Sequence, residues 1–188
     1  MITHSIFWRR LDGPGQDACR LEHTATGWNV TGVAEFSVAE ERAEIHYLIS
    51  CGFDFRTDSA SLHGSLGQRA VTFEIERTKN GDGWSLNGSL VSGLEGCIDV
   101  DLGFTPATNL LPIRRLALRE GDHASAPAAW LDVTRGSLHM LPQVYERRSA
   151  FTYWYEAPSV GYCALLEVSA SGFVLDYPGL WRAEQCSE

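Results

Sequence analysis

Alternation of apolar and polar side chains is the strongest regularity in this chain. Val71, Phe73 and Ile75 point one way while Thr72, Glu74 and Glu76 point the other, the period of two that marks a half-buried strand. The same pattern predicts strands over residues 6–10, 18–23, 28–36, 43–51, 59–66, 97–102, 130–133, 151–156, 162–168 and 173–177. Asn80-Gly81 and Asp82-Gly83 separate the strand at 71–75 from a run at 84–90. Asn-Gly tolerates the positive φ of a tight turn, so a hairpin is predicted there. Eighteen glycines punctuate the chain at short intervals. Many short strands with turn residues between them imply a large antiparallel sheet or barrel.

Helical pattern is scarce. Residues 39–42 suit a turn, and 107–118 has some helical composition. Pro106 and Pro112, however, each remove a backbone donor and bias the preceding residue towards extended structure. The prediction for 105–112 is therefore an ordered loop leading into a strand at 113–118. No repeat, low-complexity segment or linker interrupts the chain. Its 188 residues suit one domain, expected to be all-β over 1–188 with one or two short helices.

Composition narrows the partners. Apolar residues make up 44% of the chain and charged residues 21%, enough to bury a core. Fifteen basic against 24 acidic residues leave a net charge of −9, and protonating six histidines would not reverse its sign. Such a chain lacks the field that a nucleic-acid backbone or an anionic bilayer selects. Its one lysine, Lys79, lies in Thr78-Lys79-Asn80, outside any Gly-Lys-Ser/Thr phosphate loop. Cys19, Cys51, Cys97, Cys163 and Cys186 are odd in number and form no Cys-x-x-Cys pair, as expected of reduced thiols in a cytoplasmic protein. Neither a signal peptide nor a membrane-spanning apolar run is evident.

Several familiar chemistries find no footing. Ser85 lacks the closing glycine of a nucleophile elbow, and Gly81-Asp82-Gly83 sits in a hairpin rather than at a dinucleotide-binding turn. The histidines fall into no ligand spacing. No metal and no cofactor are expected.

Residues 96–116, GCIDVDLGFTPATNLLPIRRL, are the densest in chemistry. In a strand, Cys97, Asp99 and Asp101 share one face, which sets the two carboxylates roughly 7 Å apart at Cα. That spacing suits an acid/base pair acting on a sugar. It suits equally an ion network with Arg114 and Arg115, because a carboxylate on a covered sheet face needs a partner. Thr105, Thr108 and Asn109 suit a loop that ties down its own backbone. Further on, Phe151, Tyr153 and Tyr155 would line one strand face, either as core or as the floor of a ligand cavity. Asp176 and Tyr177 end a strand before Pro178-Gly179, where they would serve a ligand or cap the turn.

These same segments resemble the bacterial putative glycolipid-binding family. The resemblance rests on Cys97-Ile98-Asp99-Val100-Asp101-Leu102 followed by Thr105-Pro106-Ala107-Thr108-Asn109-Leu110-Leu111-Pro112-Ile113-Arg114-Arg115-Leu116. Tyr145-Glu146-Arg147 and Asp176-Tyr177-Pro178-Gly179-Leu180-Trp181 are later landmarks, and the likeness runs from Phe7-Trp8-Arg9 to Trp181. It implies a strongly curved antiparallel sheet, a half-open or closed barrel similar to bacterial lipoprotein carriers, and brings no catalytic residues.

The reading that follows is a non-catalytic protein that holds a glycolipid or similar amphipathic molecule in a concave β cavity. Asp99, Asp101, Thr108, Asn109, Arg114, Arg115, Tyr145, Tyr153, Tyr155, Asp176, Tyr177 and Trp181 are its expected ligand-binding residues. One alternative is a small sugar-directed hydrolase or isomerase using Asp99 and Asp101. Another is a domain without a small ligand, dimerising through strand edges.

Overall fold

The computed structural model describes residues 3–38 and 40–188. Six long strands open the chain as an antiparallel meander: β1 (Thr3–Arg10), β2 (Gly15–His23), β3 (Trp28–Val38), β4 (Glu41–Cys51), β5 (Thr57–Leu66) and β6 (Arg69–Arg77). Two short strands, β7 (Trp84–Leu86) and β8 (Ser89–Val91), extend the meander to one edge. The chain then leaves the sheet through β9 (Asp99–Asp101), a 3-10 turn at Pro106–Asn109 and helix α1 (Leu110–Leu116). Next come β10 (His123–Ser125), β11 (Ala128–Asp132) and β12 (Ser137–Leu141). Finally β13 (Val144–Ser149), β14 (Thr152–Ala157), β15 (Tyr162–Val168), β16 (Val174–Tyr177) and β17 (Trp181–Ser187) rejoin the sheet.

The 14-stranded sheet has the order β10-β13-β14-β15-β16-β17-β1-β2-β3-β4-β5-β6-β7-β8, and β12-β11-β9 form a second sheet in which β9 runs parallel to β11. Pairing of β17 with β1 joins the two runs of the chain into one surface. Burial alternates along the long strands β2 to β6 as the sequence pattern requires. In β4, Ala43, Ile45, Tyr47, Ile49 and Cys51 are buried, and their neighbours across the sheet include Leu62, Phe73 and Ile75.

That inner face is not open. Leu94, Cys97, Val100, Leu102, Phe104, Ala107, Leu110 and Leu111 pack on it in one continuous core. Trp84, near one sheet edge, donates to the carbonyl of Cys97 at 3.0 Å. Near the other edge, Tyr145 of β13 accepts from Asn109 at 2.7 Å. Both ends of the sheet thus bend onto one central segment.

Four sequence expectations change. The sheet ends at β8 and β10, so no closed barrel forms among the described residues. The strand expected at 113–118 is instead α1. Pro112 is its third residue, inside the first turn, where a missing N–H has no intrahelical partner to lose. The run at 84–90 breaks at Asn87-Gly88, both at positive φ, and Leu86 pairs with Ser89 across a two-residue turn. Of the turn expected at 39–42, Ala39 lies outside the described residues, while Glu41 and Arg42 already belong to β4.

Candidate functional site

The central segment carries four of the expected site residues, Asp99, Asp101, Thr108 and Asn109, towards the interior. Asp99 is almost fully buried, and Arg115 donates to its two oxygens through Nε at 3.0 Å and Nη2 at 2.6 Å. Burial pushes the Asp99 carboxyl above its usual range, while Arg115, Arg56 and Arg77 pull it back down. Asp101 accepts from the Gly103 N–H at 2.7 Å and from Gln143 Nε2 at 2.7 Å. Burial raises its pKa too, against those two hydrogen bonds. Gln143 also donates to the Tyr155 hydroxyl at 3.0 Å. The two carboxylates are therefore members of a hydrogen-bonded interior, Asp99 as one half of an ion pair. Arg114 takes no part in that pair.

Thr105 caps the 3-10 turn by accepting from the Ala107 N–H at 3.0 Å. Thr108 and Asn109 are buried beneath it. Asn109 is partnered by Tyr145, whereas Thr108 Oγ1 has no partner among the described residues. Tyr145 leans on Tyr155, and Tyr155 meets Tyr177 edge-on at 5.8 Å. Asp176 lies apart from this network and accepts from Arg182 at 2.9 Å. Trp181 is buried, with Arg10 over its ring. The expected aromatic stripe divides. Tyr153 and Tyr155 point inward, but Phe151 lies in the turn before β14 and is 56% exposed.

Arg114, Arg115 and Tyr153 come together elsewhere, in a cleft of about 660 Å³ at one end of the sheet. Its walls are the β4–β5 loop with Phe53, Asp54 and Phe55, the end of α1, the β13–β14 turn, and residues 168–172. Basic residues at the last turn of α1 suit the partial negative charge of a helix C-terminus. Consecutive on that turn, Arg115 turns inward to Asp99 while Arg114 lies over the Phe55 ring, 5.0 Å from its centre. Phe55 itself stacks on Trp28 at 5.2 Å. It holds a positive φ of 62°, a conformation that a bulky residue adopts only at a cost.

Arg147 forms the opposite wall. It donates to the carbonyls of Ser149, Leu118 and Ala150 at 3.0, 2.8 and 3.0 Å. Its guanidinium lies 5.8 Å from the Tyr153 ring centre. Burial raises the Tyr153 phenol, while the nearby charges of Arg147 and Arg114 pull it down. Gly172, with φ of 97°, makes room for Arg114, because a Cβ there would meet Arg114 Cδ at 3.0 Å. Phe53, 60% exposed, and Phe151 are the open aromatic groups of the lining.

Phe53, Phe55, Arg147 and Gly172 were not expected ligand residues from the sequence, and Phe151 was expected only on the aromatic strand face with Tyr153 and Tyr155. Two phenylalanines in the polar loop Gly52-Phe53-Asp54-Phe55-Arg56 were the available signal, since loop aromatics have no core of their own to fill. Among the described residues no cluster of His, Cys, Asp or Glu is placed to hold a metal ion. No helix there is long and apolar enough to cross a membrane.

Comparison with known proteins adds two matches. Residues 5–183 match the family described as putative glycolipid-binding. The fold is similar to the crystal structure of a DUF1089 family protein from Pseudomonas aeruginosa, with 25% identity and a TM-score of 0.80, over 89% of this chain and 91% of that one. No curated protein matches the chain.

Proposed function

Because the chain belongs to the putative glycolipid-binding family, we propose that it is a non-catalytic binding protein that holds an amphipathic molecule in the cleft at the end of α1. One observation carries this reading. Two exposed phenylalanines, Phe53 and Phe151, line a cleft whose other walls carry arginines and a tyrosine. Apolar surface beside converging polar groups is the general design of a site for such molecules. Aromatic rings pack against alkyl chains and sugar faces alike.

The inner face of the sheet is taken up by the segment 94–111, which supports a site at the sheet's end rather than on that face. On this reading the sheet is a rigid frame and the loops at its end do the binding. Of the expected ligand residues, Arg114, Arg115 and Tyr153 line the cleft, while Asp99 and Asn109 hold the segment before and within α1 through Arg115 and Tyr145.

The test is titration calorimetry with dodecyl maltoside below its micelle concentration, using the native protein and Phe53→Ser/Phe151→Ser. Both rings are exposed, so folding should barely change. Covering two half-exposed rings is worth about 1.5–3 kcal/mol in total at the usual hydrophobic coefficient, or about tenfold or more in affinity. Native binding that weakens at least tenfold in the variant supports the site. An unaffected variant, or no native binding, overturns it.

A further inference from the structure

Hydrophobic rims explain why an amphiphile would settle in the cleft but not why three arginines meet there. Two of the four charged side chains of the lining are already committed. Asp54 is held by Arg56 at 3.1 Å, and Arg115 is held by Asp99. Arg114 and Arg147 remain, and neither has a carboxylate partner among the described residues. Arg147 spends donors on three neutral carbonyls, which fix its position without cancelling its charge. Arg114 is fixed by stacking on Phe55 and by the space beside Gly172, which likewise leaves its charge intact. Tyr153 lines the same cleft, and its hydroxyl has no hydrogen-bond partner among the described residues.

This arrangement is unusual in a chain of net charge −9. Carboxylates are plentiful, yet the cleft keeps two guanidinium groups unneutralised and rigidly placed. Planar guanidinium groups bind phosphate and carboxylate oxygens through paired hydrogen bonds. Preorganised donors need little further ordering when the ligand arrives.

We propose that the molecule held in the cleft carries an anionic head group of the phosphate or carboxylate type, seated on Arg114, Arg147 and the Tyr153 hydroxyl. The proposal rests on the amphiphile reading above for the ligand's tail, but the head-group chemistry stands on the two arginines alone. A neutral sugar head would leave both charges uncompensated on binding, whereas an anionic head satisfies them. The long-range field of the acidic chain opposes such a ligand, so the contact has to be short-range and specific.

The experiment compares three probes by titration calorimetry: dodecyl phosphate, dodecyl maltoside and inorganic phosphate, each with the native protein and with Arg114→Gln. Arg114 makes no side-chain hydrogen bond among the described residues, so the variant should fold. A thermal melt and a salt titration of the native protein accompany it. The expected result is a preference for dodecyl phosphate over dodecyl maltoside of at least tenfold. That preference should fall towards unity in Arg114→Gln, and it should shrink as sodium chloride is raised. Equal affinity for the two amphiphiles, insensitive to the variant and to salt, overturns the anionic head while leaving the amphiphile reading intact. Inorganic phosphate binding as tightly as dodecyl phosphate, and weakening in Arg114→Gln, upholds the anion site but overturns the amphiphile reading. If none of the three binds, both fall.

Discussion

Asp17 is fully buried on β2 with no ion-pair partner among the described residues, and its carboxylate accepts from Tyr47 at 2.9 Å and from Thr105. Tyr47 reaches it by lying across Gly32, where any Cβ would meet the phenol ring at 2.3 Å. Thr105 caps the turn that leads into α1, so one carboxylate links the sheet to the segment that covers it. Desolvation raises its pKa to about 6, against the two hydroxyl donors. A carboxyl with a folded pKa above its unfolded value of 3.8 binds its proton more tightly when folded. Its contribution is therefore complete below about pH 4 and is lost as pH rises through about 6. At about 1.4 kcal/mol per pH unit, the window is worth about 3 kcal/mol. Asp17→Asn removes this titration. The stability difference, native minus variant, should thus fall by about that amount between pH 4 and pH 7 in urea melts. A difference that stays flat with pH would show that Asp17 keeps an ordinary carboxyl pKa.

At the level of elements, the glycines separate backbone demand from packing demand. Gly88, in the β7–β8 turn, has φ of 78° and open space where a Cβ would stand. Gly88→Ala should therefore cost only the conformational penalty of about 1 kcal/mol. Gly172 has φ of 97° and the aliphatic stem of Arg114 against it, so Gly172→Ala should cost about 2 kcal/mol or more, because the side chain at the cleft must also move. Equal losses in parallel thermal melts would mean that Arg114 does not pack there. These positions also explain what the sequence could reveal. The long strands β1 to β6 were legible because one face is buried and the other wet, which writes the fold's geometry into alternation. Helix α1 was not, because seven residues are too few to show a helical period and its proline looked like an interruption. Asp99 with Arg115 was legible as an ion network because a buried carboxylate must find a partner. The cleft was not: Phe53 and Phe55 sit in a loop, Arg147 on β13 and Gly172 in another loop, and only the fold brings them together.

Across the whole molecule, the issue is whether the segment 94–111 is core or a displaceable cover. Its apolar side chains belong to the same continuous cluster as the inner face of the sheet, with Leu110 and Leu111 fully buried. The sheet closes over it from both ends, through Trp84 and Tyr145. A cover that yields to a ligand must make contacts weak enough to be exchanged, so truncating one of its side chains would cost little. A core must behave as any close-packed interior does, where removing methyl groups from leucine forfeits both transfer energy and the contacts around the void. Leu111→Ala and Ile45→Ala compare the two surfaces directly, since both side chains are fully buried and in the same cluster. Each should cost about 2–5 kcal/mol, with one cooperative transition in urea for both variants. A loss below about 1 kcal/mol for Leu111→Ala, or an early separate transition, would identify the segment as a removable cover. The inner face of the sheet would then return as the place where a ligand lies. A full-sized loss keeps the interior filled and leaves the cleft beside Arg114 as the proposed place for an amphiphile.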